Sequence, residues 1–360
     1  MAVGKQLCAR LGAAALMAGA FGLVVSPSAA ADGGATATYH GAKPGTEGHV
    51  WLKGRGTWDS TNVKLLESSS GGHTSTLETY CIDFDVEMAD GHPKYQESDW
   101  DDFFKDSASA PRVNWILRNS YPALSINDLR KRVQDAPEFA GDDVAKLNPR
   151  TAAAGTQAAI WHFTNGADLA GGKNPEIVVD LYDYLTGKAN GGVSNEPQVS
   201  LDISAKDDGE LTAKPGEPFG PFTIETTSSN AVEASIESQT DGVHLVRKTD
   251  DGYQKVTELN DGDEFYVEVP ADAKKGKATI TAETIATVQV GRVFQGVPEP
   301  DKTQTLILAG SAQVHVAARA ELTWKQRTPS SPTPSPTPSE TGSNEAPAPT
   351  PVHTKAPVTG

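Results

Sequence analysis

The chain has 360 residues, 31 Lys plus Arg against 47 Asp plus Glu, 34 Gly, 24 Pro and two Cys. That length exceeds one ordinary core and predicts two domains with extra segments. A formal net charge of −16, with no cluster of Lys and Arg, excludes a protein that works by neutralising phosphates, and with it nucleic acid as a partner.

Residues 1–31 begin weakly basic with Lys5 and Arg10, continue through the 15 apolar residues from Leu11 to Val25 and close on Ala29, Ala30 and Ala31. Those three regions read as a secretory signal peptide, and the apolar run is too short to span a membrane. Cleavage there removes Cys8, which leaves Cys81 alone in an acidic, exported chain.

Residues 39–192 mix two periods and predict an α+β domain. Strict alternation from Thr76 to Met88 predicts a strand, with Tyr80, Ile82, Phe84, Val86 and Met88 on one face and Cys81, Asp83 and Asp85 on the other. Helical spacing follows in Arg112 to Asn119 and in Ser125 to Val133. Asn148-Pro149 predicts the cap and first residue of a helix to Thr164 with Gly166 as its stop, and Asn174-Pro175 opens another that ends near Gly187. From 197 to 324 short β-type runs, Thr305 to Leu308 and Ala312 to Val316 among them, recur with Asp-Gly turns between them, which predicts an all-β sandwich. Residues 327–360 hold nine of the 24 prolines and predict an extended, disordered spacer, or equally a linker or glycosylated tail.

A lone cysteine in an exported chain is a packed thiol, half of an intermolecular pair, or reactive. Cys81 faces away from the apolar stripe of its strand, and a helix covering that face would lie over it. The helix from Pro149 carries Gln157 in the middle of its apolar face, with Ala153, Ala154, Ile160 and Trp161 at the flanking positions. A buried carboxamide is costly unless its polar atoms are satisfied or chemically used. One such use is attack by the Cys81 thiolate on the Gln157 carbonyl with loss of ammonia, giving an internal thioester. The bland alternative is a packed thiol beside a hydrogen-bonded amide.

Tyr80-Cys81-Ile82-Asp83 and Thr156-Gln157-Ala158-Ala159-Ile160-Trp161 together resemble the paired motifs of the Cys-Gln thioester (TQxA) domains on Gram-positive surface proteins. The resemblance covers about residues 39–192, and the Thr-Gln-x-Ala element matches in full through Thr156, Gln157 and Ala159. It implies a β-sandwich-like sheet with a helical part and a covalent adhesin. Gln157, held as an acyl group on Cys81, would be taken by a lysine or other amine on a surface protein or polyamine, with Tyr80, Ile160 and Trp161 as the water shield. It further implies a monomer associated with the cell wall that needs no cofactor and reacts once rather than turning over. Asp83 and His162 are weak candidates for proton transfer. Stalk domains of such proteins often carry Lys-Asn or Lys-Asp cross-links, but no spacing in 197–324 selects one. The closing Ala356-Pro357-Val358-Thr359-Gly360 departs from a Leu-Pro-x-Thr-Gly sorting signal at its first position, which predicts either a missing anchor or a released protein.

Two other readings remain. A secreted cysteine hydrolase acting on cell-wall peptides would need a His partner, and His73 and His92 lie nearby in Gly- and Pro-containing loops. A non-covalent binding or spacer protein would rely on the sandwich. No metal is expected, since Asp99, Asp101 and Asp102 lack the Gly and distal Glu of a calcium loop and read as a solvated helix start. Gly54-Arg55-Gly56 lacks the spacing of a phosphate-binding loop.

Overall fold

A computed structural model describes residues 34–326, apart from 56–57, 71–72, 105–107, 141–143, 207–210 and 298–301. The expected signal peptide at 1–31 and Pro-rich tail at 327–360 lie outside the described residues.

The described residues open with six strands, β1 (Thr36–Ala42), β2 (Gly48–Trp51), β3 (Trp58–Thr61), β4 (Lys64–Ser70), β5 (His73–Cys81) and β6 (Lys94–Ser98). Five helices follow, α1 (Trp100–Phe103), α2 (Ser109–Asn119), α3 (Ile126–Val133), α4 (Pro149–Asn165) and α5 (Glu176–Thr186). The rest is strand: β7 (Leu201–Ala205), β8 (Thr212–Ala213), β9 (Phe219–Thr226), β10 (Val232–Ser238), β11 (His244–Thr249), β12 (Gly252–Lys255), β13 (Glu258–Leu259), β14 (Glu264–Glu268), β15 (Gly276–Val288), β16 (Val293–Gly296), β17 (Leu306–Leu308) and β18 (Ala312–Trp324). The structure is thus mostly β with few helices.

The strands of the first stretch do not make the sandwich-like sheet expected of them. They close a barrel in the order β1-β4-β5-β17-β16-β6, with β2 and β3 paired as a separate ribbon. Two of the barrel strands, β16 and β17, come from residues that sequence reading placed in the second domain. Leu306, Ile307 and Leu308 pair with Cys81, Tyr80 and Thr79, and Phe294 pairs with Glu97. Closure removes the exposed edges that β5 and β6 would otherwise present. The short apolar run Leu306-Ile307-Leu308 is buried throughout, and nothing local in such a run tells which sheet it joins.

Two five-stranded sheets, β13-β10-β15-β18-β8 and β12-β11-β14-β9-β7, account for the predicted sandwich. Their long pair, β15 with β18, is in register over all 13 residues of each. The excursion that completes the barrel leaves between these two strands, so the split at residue 197 does not separate the described residues into independent cores. Residues 34–326 belong to one compact unit with a continuous core.

Arg292, 1% exposed, fixes the start of that excursion. Its guanidinium reaches Glu97 Oε1 at 2.8 Å, Asp99 Oδ1 at 3.1 Å, Glu196 Oε1 at 3.3 Å and the Pro197 carbonyl at 3.0 Å. The planar fork of donors suits several acceptors at once. Three parts of the chain, at 97–99, 196–197 and 292, are thereby tied through one side chain. Asp99, expected at a solvated helix start, is the N-cap residue of α1, its side chain 63% exposed, and it is also one of these partners.

Candidate functional site

α4 is specified locally and then used to deliver Gln157. Asn148 accepts hydrogen bonds from the N–H groups of Arg150 and Thr151, the Thr151 hydroxyl accepts one from the Asn148 N–H, Pro149 takes the first position and Gly166 ends the helix at φ 66°. Between these caps every residue from Ala152 to Trp161 is buried. Small residues allow that: a Cβ on Gly155 would sit 3.0 Å from Leu181 of α5. The cap of α5 differs from the sequence expectation. Pro175, not Asn174, is its N-cap residue, and the Asn174 carboxamide instead bonds the N–H and C=O of Trp51 in β2.

The strand carrying Cys81 is shorter than alternation predicts. β5 stops at Cys81, and 84–86 turn away. Both faces are buried at the end of β5, from Thr79 to Cys81, while its first residues are exposed, so the expectation of one apolar face has a different physical form. Tyr80 faces the helices and donates its hydroxyl to the Tyr121 carbonyl at 2.8 Å. Cys81 shares its face with Thr79 and Leu77, and the register places Lys64, Leu66 and Leu306 beside them. Tyr95 of β6, with two strands between it and β5 in the barrel order, is fully buried as Cys81 is.

Gln157 meets Cys81 through the backbone. Ile82 N–H donates to the Thr305 carbonyl and Ala309 N–H to the Glu78 carbonyl, so strand alternation turns the N–H and C=O of Cys81 the other way, toward β4. The β4 register ends at Lys64 opposite Thr79, leaving those two groups without a strand partner. The Gln157 carboxamide takes both: Cys81 N–H donates to Oε1 at 3.0 Å, and Nε2 donates to the Cys81 carbonyl at 2.7 Å. Cys81 and Gln157 are both 0% exposed.

Among the described residues the thiol pairs with no other cysteine, and it touches the Asp83 carbonyl at 3.4 Å. Burial pushes its pKa up; the Lys64 charge, the Asp83 backbone contact and the Trp161 indole pull the other way. Trp161 is 3% exposed, with Phe84 against its ring at 4.8 Å and the Arg55 guanidinium 3.8 Å from the Phe84 ring on its other side. Thr156 and Ala159 are fully buried on α4. The Thr156 hydroxyl lies beside the Tyr80 phenol without completing a hydrogen bond.

The structure brings Tyr80, Cys81, Thr156, Gln157 and Trp161 together, gives Asp83 a contact through its backbone, and buries Ala159 on α4 with no contact to the thiol shown. It does not bring His162 to the thiol. His162 Nδ1 lies 2.8 Å from Asp168 Oδ1 and 3.0 Å from the Tyr182 hydroxyl. The other candidate histidines are also engaged elsewhere, His73 stacked on His315 at 4.3 Å and His92 Nδ1 against the Tyr39 carbonyl at 2.8 Å. Lys64 is the site residue that sequence reading missed. It is 7% exposed, and only the β4–β5 register reveals which way it points. Among the described residues no group of three His, Cys, Asp or Glu side chains is arranged to hold a metal ion, and no helix is long and apolar enough to cross a membrane.

Residues 78–191 match the family model described as Thioester domain, a span that contains both Cys81 and Gln157. No curated protein matches the sequence. Among solved structures, the thioester domain of the Enterococcus faecium TIE86 protein aligns at 13% identity and a TM-score of 0.32, covering 81% of this chain and 97% of that one. The thioester domain of the Staphylococcus aureus TIE protein aligns at 18% identity and 0.29, covering 81% and 98%. The N-terminal thioester domain of a surface protein from Clostridium perfringens aligns at 16% and 0.30, covering 47% and 89%.

Proposed function

Residues 78–191 being a thioester domain, we propose that Cys81 and Gln157 form its internal thioester and that the chain is a surface adhesin which uses it once, to acylate a primary amine on a target. The observation that carries this reading is the double hydrogen bond between the Gln157 carboxamide and the Cys81 backbone. In forming the bond, the Cys81 sulfur attacks Gln157 Cδ, the Cδ–Nε2 bond breaks, and the thiol proton leaves on nitrogen as ammonia. The Cys81 N–H, 3.0 Å from Oε1, is aimed at the oxygen on which negative charge builds, the arrangement that stabilises tetrahedral intermediates of acyl transfer.

An amine reverses the geometry. Its nitrogen attacks Cδ, the Cδ–Sγ bond breaks, and one amine proton ends on sulfur. The new amide nitrogen falls where Nε2 was, and its remaining hydrogen can donate to the Cys81 carbonyl as Nε2 does. Full burial of Cys81 and Gln157 keeps water from the acyl group, which favours survival of the thioester until a target docks. Each molecule reacts once, so the protein is a covalent ligand rather than a turnover catalyst. The leader-like residues 1–31, the Pro-rich residues 327–360 and the acidic composition support export and display at the cell wall as a monomer, with a lysine-bearing surface protein or a polyamine as target. Incubation with methylamine followed by peptide mapping tests the reading: Gln157 should become the N-methylamide in the native chain and remain unmodified in Cys81→Ala. Equal labelling of the two would overturn it.

A further inference from the structure

The sulfur of Cys81 is the atom that must leave when an amine takes the acyl group, and two buried donors near it have no other adequate partner. Trp161 lies one helical turn beyond Gln157 on the same face of α4, and its buried indole N–H has no hydrogen-bond partner among the described residues. A buried N–H left unmade is destabilising and calls for a role. The group it acts on is the Cys81 thiol.

Lys64 approaches from the other side. It stands opposite Thr79, which puts it on the same barrel face as Cys81 two residues further along β5, a diagonal spacing of about 7–8 Å that a long side chain spans. Its ammonium is buried, its one hydrogen bond among the described residues goes to Asn62 Oδ1 at 3.2 Å, and the acidic group its charge feels is Cys81. Buried lysines are ordinarily paired with a carboxylate. Here the matching anion is the one that appears on sulfur when the thioester opens.

We propose that Trp161 Nε1–H and the Lys64 ammonium form a cradle for the Cys81 thiolate, making sulfur rather than the attacking nitrogen the group that leaves. The inference rests on the thioester reading above. In the reaction the nitrogen–Cδ bond forms, the Cδ–Sγ bond breaks with its electron pair going to sulfur, and the amine's surplus proton then neutralises the thiolate. In this scheme Trp161 donates to the leaving sulfur as a catalytic residue, and Lys64 acts through its charge. The remaining ionisable groups that face the sulfur are Asp83, from the turn after β5, and Tyr95, from β6; α4 presents the neutral Gln157 and Trp161.

The test uses Trp161→Phe, Lys64→Met and Lys64→Arg in two settings. In the otherwise native chain, the rate of methylamine incorporation should fall about tenfold for Trp161→Phe and for Lys64→Met, the loss of one donor to a charge, and Lys64→Arg should recover most of it. In a Gln157→Ala background, where the thiol is free whether or not a thioester ever forms, iodoacetamide reactivity against pH should shift to higher pH in Trp161→Phe and Lys64→Met. Native rates together with unshifted thiol titration would overturn the proposal. A native chain that never loses ammonia would overturn the thioester reading instead, and the titration would still decide the cradle.

Discussion

The carboxamide of Gln157 holds, against the N–H and C=O of Cys81, the two positions that a residue of a neighbouring strand would hold. β4 stops one pairing short, at Lys64 opposite Thr79, and a helix side chain completes the ladder. An acyl donor and its nucleophile are thereby brought together by ordinary sheet hydrogen bonding, before any chemistry occurs.

That relationship has a stability consequence. Gln157→Leu fills the same buried space but leaves both Cys81 backbone groups unpaired, and each unmade buried bond costs about 1–3 kcal/mol. Cys81→Ala also forbids a thioester yet keeps the carboxamide bonds. Urea unfolding should therefore place Gln157→Leu below Cys81→Ala by at least about 2 kcal/mol; equal midpoints would show that the pairing contributes nothing.

The Nε2 bond to the Cys81 carbonyl at 2.7 Å sets which amines react well. A primary amine gives a product amide with one N–H left to donate to that carbonyl. A secondary amine gives none, and it adds a methyl group where the carbonyl oxygen stands. Dimethylamine should acylate at least about tenfold more slowly than methylamine after correction for basicity, equivalent to one lost hydrogen bond. Comparable rates would remove the carbonyl from the account.

His162 belongs to a separate cluster. The His162 hydrogen bond, followed by that of Tyr182, holds the Asp168 carboxyl below the usual carboxylate range against a smaller effect of burial. A depressed folded-state pKa stabilises the fold above the unfolded value, near 3.9 for Asp, and that contribution disappears as pH falls through the folded value. Asp168→Asn should blunt acid sensitivity in that window while leaving the methylamine rate within about twofold of native. A large loss of rate in Asp168→Asn or His162→Ala would bring the histidine back into the chemistry as a proton-transfer group.

Arg292 joins three carboxylates at 1% exposure. Arg292→Ala strands Glu97, which is itself buried, and breaking such a pair typically costs about 3–5 kcal/mol. Because the barrel takes β16 and β17 from between two sandwich strands, barrel and sandwich should lose structure in one denaturation step, shifted as a whole in Arg292→Ala. Two separated transitions would mean that the stretches fold independently, as the split at residue 197 implies.

What the sequence made legible follows the range of the forces involved. The caps of α4 are local, and Asn148, Pro149 and Gly166 mark its ends as expected. The exposure of Gln157 to the interior follows from helical period alone, and so does its proximity to Trp161. The end of β5 was missed because alternation continues through Phe84, Val86 and Met88 after the backbone has turned. Barrel closure by residues 293–308, the Arg292 cluster and the inward-facing Lys64 all depend on partners between 15 and 229 positions away in the chain. No pattern within a short window carries that information. Asn174 illustrates the same limit in small: it looks like a helix cap, but its carboxamide is claimed by Trp51.

The intact mass of the purified, untreated protein tests the central claim most directly. With its ends fixed by terminal peptide mapping, the native chain should weigh less than its sequence by one ammonia, Cys81 should resist thiol reagents, and Cys81→Ala should show no deficit. A native chain at full sequence mass, with a Cys81 thiol that titrates stoichiometrically once the protein is unfolded, would contradict the thioester and leave Cys81 and Gln157 as a packed thiol beside a hydrogen-bonded amide.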